Sequence, residues 1–257
     1  MRKLIAFTKK EYMEQLRNGR LVVLCILFVL LGIMNPAIAK LTPWMYQIFA
    51  DSLAENGIVV TAVPVNAMTS WTQFFKNIPI GLLLFFLLQS NVFTKEYQSG
   101  SLILTITKGF ERYKIVVVKT FVLLFLWTVY YWGCYIITYG YNEFYWDNGV
   151  AHHLLFAAIC WWLFGIWTML LCVLFSTIVK TNTGVIVGTA VVLFFSYLLG
   201  LLPNLKTYSP SMLLSSDSLL SGIDKISLYT PSIVITAVLC RFFCRWYRDD
   251  ESKAAIM

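Results

Sequence analysis

The sequence predicts an all-α membrane protein: six transmembrane helices preceded by an amphipathic interfacial helix. Three observations carry that expectation. Hydrophobic residues fill 59% of the 257 positions and charged residues only 13%, against roughly 25% charged in an average soluble domain. The apolar residues come in six blocks, each long enough to cross about 30 Å of hydrocarbon, which takes about 20 helical residues. Lysine and arginine gather on one side of those blocks. Tilted barrel strands would alternate apolar with polar residues, and Leu21 to Leu31 does not alternate.

Residues 1–20 interleave basic and apolar side chains. A helix there would turn Leu4, Ile5, Phe7, Tyr12, Met13 and Leu16 toward lipid and Lys3, Lys10, Glu14 and Arg17 toward water. A basic tail held by anionic lipid is the plainer alternative. Residues 21–247 form the six-helix transmembrane domain, with spans at about 21–39, 72–93, 115–139, 151–178, 184–202 and 228–246. Ala37-Ile38-Ala39 resembles a signal-peptidase site, but the long amphipathic leader before Leu21 argues against cleavage. In the outer segment 40–71, Trp44, Met45, Ile48, Phe49 and Leu53 recur at helical spacing, and Asn56-Gly57 marks a turn. The second span carries Pro79, which removes one helix hydrogen bond and favours a kink. An inner loop, 94–114, leads to the third span.

The third span is aromatic toward its outer end, where Tyr130, Tyr131, Trp132, Tyr135, Tyr139, Tyr141 and Tyr145 fit an interfacial belt; contact with a transported molecule is the alternative. His152 and His153 are adjacent, so they point to different helical faces and do not chelate one metal. Gly184 and Gly188 form a small-xxx-small pattern suited to close helix packing, between copies or within one. The outer segment 203–227 holds Met212, Leu213, Leu214, Leu219 and Leu220, which suit short helices dipping toward the membrane. The tail 248–257 is solvated.

With the N-terminus inside, sixteen lysines and arginines lie on the inner side and four, Lys40, Lys76, Lys206 and Lys225, on the outer. Positive charge near spans resists translocation, so both termini are expected in the cytoplasm. The net charge of +7 reflects that topology; no soluble stretch is long enough for a nucleic-acid-binding domain. All six cysteines fall in apolar blocks, where cysteine packs as a small hydrophobe. Cys240 and Cys244, four apart, are too few donors for zinc, so no metal site is expected. The dipeptide Gly-Lys is absent, and with it the phosphate-binding loop; neither G-x-S-x-G nor H-E-x-x-H occurs. Ion-coupled carriers keep ionisable groups at membrane depth, and acidic residues are nearly absent from these spans. Neither an enzyme nor an autonomous pump is expected, and no residue is assigned as catalytic.

The inner loop is the most informative stretch. It places Glu96 just after the second span, then Gly100-Ser101 with Leu102 and Leu104, then Arg112, with Lys119 at the start of the third span. In that order the residues resemble the inner loop of the ABC-2 type permease family, the membrane subunits of bacterial ATP-driven exporters. The basic leader and six-span plan extend the resemblance over the chain. One departure is Lys108-Gly109-Phe110, where many members have a proline before the arginine. The resemblance implies a permease in the bacterial cell membrane that works as a dimer of six-span units. A second copy or a similar permease would be one partner and a cytoplasmic ABC ATPase subunit, carrying ATP and Mg, the other. It implies that Glu96, Gly100, Ser101, Arg112 and Lys119 couple the spans to that ATPase. Implied cargoes are amphipathic peptides, antimicrobials or drugs. The rival reading is an ATP-independent membrane binding or immunity protein.

Overall fold

The computed structural model describes residues 2–55, 65–91, 94, 112–179 and 181–254, and among these it is helical with no strand. Helix α1 spans Arg2–Arg17 and α2 Arg20–Glu55. Gly19 joins them at φ 69°, a left-handed geometry that glycine adopts without strain where a helix ends. Helix α3, Ala67–Gln89, starts where the Asn66 side chain accepts a hydrogen bond from the Thr69 amide at 3.2 Å. Then come α4 (Arg112–Tyr145), α5 (Leu154–Ile178) and α6 (Asn182–Leu201). Short 3₁₀ turns flank a one-turn helix, α7 (Ser216–Leu220), before α8 (Thr230–Ala254).

Five described helices are long and apolar enough to cross a membrane: Arg20–Met45, Ala67–Gln89, Lys114–Tyr145, Leu154–Ile178 and Asn182–Leu201. Where the sequence predicts a sixth span, α8 is present, but the described apolar stretch formed by its start and the preceding 3₁₀ turn, Ile226–Phe242, is shorter. The outer segment also differs from expectation. Residues 40–55 all continue α2, so the helical spacing of Trp44 to Leu53 belongs to that helix and not to a separate surface stretch; Asn56 and Gly57 lie outside the described residues. The 36-residue helix is about 54 Å long at 1.5 Å per residue, well beyond a bilayer. Loss of hydropathy marks the end of a span, not of a helix, and residues 40–55 contain no glycine to stop one. Helix α4 is similarly long, and Lys40 of α2 sits over the Tyr145 ring at the tip of α4, 3.8 Å from its centroid.

Helices α2, α3 and α4 pack as one group, α4 carries α5, and α5 gathers α6, α8 and the 210–214 turn. Apolar burial gives little drive between helices in lipid, so close approach and polar contacts must hold them. At the first group's centre Phe28, Phe85, Trp127 and Tyr130 pack with ring centroids 5.6–6.5 Å apart, and such pairs contribute about 0.5–1.5 kcal/mol beyond area burial. Between α4 and α5 the Trp127 ring lies so close to Gly165 that any Cβ there would collide with it. The Tyr131 hydroxyl donates to the Ala158 carbonyl at 2.8 Å, so this belt residue fastens two helices. Met212, Leu213, Leu219 and Leu220 are buried in short helical turns: the 210–214 turn packs on α5, α6 and α8, and α7 on α5 and α3.

Candidate functional site

Helix α1 turns Phe7, Glu11 and Gln15 inward at four-residue spacing, all three buried, while Tyr12, Met13 and Leu16 stay exposed. Of the residues expected from sequence to face lipid, Tyr12, Met13 and Leu16 are thus exposed and Phe7 is buried, while the side chains of Leu4 and Ile5 lie outside those described, and the bundle-facing stripe is largely polar. Its partners lie at the C-terminal end of α3 and the N-terminal end of α4. Lys119, on the third turn of α4, places Nζ 2.8 Å from Glu11 Oε2, with each residue only 3% exposed. Gln15 Nε2 donates to Oε1 of Gln89, the last residue of α3, at 3.1 Å. The four side chains line a cavity of about 10 Å³, about enough for one water. Higher up, the Tyr130 hydroxyl donates to the Leu21 carbonyl at 2.9 Å, tying α4 to the start of α2.

Removing two charges from water costs several kcal/mol each, which close pairing and further hydrogen bonds offset. Such a pair specifies position more than it adds stability. Here Glu11 and Gln15 fix α1 against α4 and α3, the helices after and before residues 92–111.

Of the residues singled out from sequence, Lys119 is buried and paired with Glu11. Arg112 opens α4; Glu96, Gly100 and Ser101 lie outside the described residues. Gly184 and Gly188 pack within the chain: a Cβ on Gly184 would strike Val179, and one on Gly188 would come 2.5 Å from the Phe175 ring. Glu11, Gln15 and Gln89 were not singled out. The available signal was polar residues spaced four apart in α1, plus a glutamine closing an apolar span. Among the described residues no group of histidine, cysteine or acidic side chains could hold a metal ion.

Residues 5–239 match the family model described as ABC-2 family transporter protein. No curated protein and no solved structure matches the chain.

Proposed function

Because that match makes the chain a member of the ABC-2 transporter family, a membrane transport component that is not itself catalytic, we propose that it is the permease subunit of an ATP-driven exporter. The unit crosses the membrane six times, with α8 as the sixth span, and keeps both termini in the cytoplasm of a bacterial cell. Two copies, or this chain and a similar permease, form the path, and a separate cytoplasmic ATPase binds ATP and Mg. The cargo is an amphipathic peptide, antimicrobial or drug.

The observation that carries this reading is the buried cluster of Glu11, Gln15, Gln89 and Lys119. An exporter powered from outside the membrane needs a rigid connection between its inner loop and its spans. This cluster sits at both ends of that loop, with Gln89 before it and Lys119 after it. Glu96, Gly100, Ser101 and Arg112 then meet the ATPase, while Lys119 carries the motion into α1 and α4. Since Gly184 and Gly188 face their own chain, the second copy uses other surfaces.

The test is transport and ATP hydrolysis by the complex purified with its ATPase and reconstituted in vesicles. Glu96→Gln and Gly100→Leu should insert and assemble normally yet hydrolyse ATP without matching transport. Wild-type transport by both variants would show that the loop is not the transmission. Failure of any ATPase to co-purify would favour the ATP-independent rival.

A further inference from the structure

Between the outer part of α4 and the start of α5 lies a groove of about 520 Å³, within the roughly 300–1,000 Å³ usual for small-molecule sites. Tyr135, Ile136 and Tyr139 form one wall and Leu154 and Leu155 the other, with Asn148 in the connection between the helices. Ile136 and Leu155 are 65% and 59% exposed, so the groove opens sideways, toward lipid in a membrane.

Its polar chemistry has one sign. Tyr139 packs against Tyr135 and Trp71, with centroids 6.2 Å and 6.4 Å away, and remains 42% exposed. Asn148 holds the floor and the rim together. Its Oδ1 accepts from Trp71 Nε1 at 2.9 Å, and its Nδ2 donates to Glu143 Oε2 at 2.6 Å. Asp147 is fixed beside it, accepting from the Gly149 amide at 2.9 Å. Two exposed carboxylates are thus held against Asn148 and Gly149, which line the groove, and among the described residues no lysine or arginine lines it. The cation of the neighbouring hollow, Lys40, lies over the Tyr145 ring.

We propose that this groove binds a lipophilic organic cation from the outer half of the membrane. The positive charge lies over the Tyr139 ring, where the π-face attracts it, with Glu143 at the rim. The apolar body lies along Ile136, Leu154 and Leu155. Asn148 is a positioning residue, because both ends of its amide are used in orienting Trp71 and Glu143. A lipophilic anion of the same shape meets two carboxylates and is rejected. That such a cation is exported cargo rests on the permease reading; that it binds does not.

The experiment uses the full chain in phosphatidylcholine nanodiscs, without ATPase, and a pair of ions matched in size and opposite in charge, tetraphenylphosphonium and tetraphenylborate. Equilibrium dialysis against empty nanodiscs should show saturable binding of the cation and none of the anion. Glu143→Gln should weaken the cation roughly twofold to fivefold, the scale of one exposed charge pair. Ile136→Trp fills the groove from a lipid-exposed position, so the fold is spared, and should weaken it at least as much. Equal uptake of both ions, or unchanged affinity in both variants, overturns the proposal. So does efficient cross-linking of Ile136→Cys between two copies, which would make the groove a subunit contact. Because no ATPase is present, failure here leaves the export reading standing, and an uncoupled Glu96→Gln variant leaves this site standing.

Discussion

Lys119 is a charge taken out of water. Its carboxylate comes from Glu11, 108 residues earlier in the chain. Breaking a buried pair by removing one member typically costs about 3–5 kcal/mol, because the other charge stays buried, whereas replacing both with apolar groups is often neutral. Glu11→Leu and Lys119→Met should therefore each destabilise the docking of α1, and the double variant should regain most of the loss. Lys9 and Lys10 are exposed on α1, so trypsin cleavage there in opened vesicles reports how firmly the helix is held. Single variants should be cut faster than wild type and the double variant nearly as slowly. Strictly additive effects would mean that the two residues hold α1 independently.

Among the elements, α2 shows how a helix containing proline is kept continuous. Pro36 has no N–H, so the carbonyl of Gly32 loses its usual partner four residues on. The Thr138 hydroxyl of α4 donates to that carbonyl at 3.0 Å. Gly32 makes this approach feasible: a Cβ there would lie 3.0 Å from Ile137 and 3.1 Å from the Cys134 carbonyl. Thr138→Val, which keeps the shape and removes the donor, should cost about 1 kcal/mol in a reversible unfolding titration. Pro36→Ala returns an N–H to the helix, so in the Thr138→Val background it should restore stability. If Pro36→Ala is equally harmful in both backgrounds, the hydroxyl is not what compensates the proline. Helix α6 uses its glycines in the same spirit, by seating Gly188 against Phe175 of α5.

For the whole molecule, the sixteen-to-four division of basic residues predicts which surfaces face the cytoplasm, and the fold decides which positions can report it. Asn148 and Ser216 lie on the predicted outer side, but both are buried, and Asn148 is hydrogen-bonded to Trp71. Val150 and Ser221 are exposed in the same region. In a cysteine-free background, Val150→Cys and Ser221→Cys should react with an impermeant thiol reagent on intact cells. Thr181→Cys, exposed at the opposite end of the bundle, should react only after the membrane is opened, as should Ser252→Cys. Labelling of Ser252→Cys from outside would invert or break the predicted topology.

Hydropathy and charge were legible one block at a time, because a bilayer acts on every span separately. The apolar segments beginning at Leu21, Ile115 and Gly184 therefore announced themselves, and the ordered residues from Glu96 to Lys119 carried the family. Helix ends beyond the membrane were not legible: α2 runs on to Glu55 beside an equally long α4, where hydropathy has already fallen. Nor were the pairs Lys119–Glu11, Thr138–Gly32 and Asn148–Trp71, since each contact joins residues far apart in sequence. The sequence by itself determined a helical membrane protein of the ABC-2 family. Only the tertiary structure decided that Lys119 faces inward, that Gly188 serves its own chain, and that Tyr135, Tyr139 and Asn148 line one groove with Leu154 and Leu155. Span formation follows from local transfer free energy, whereas those arrangements depend on which helices meet and at what depth.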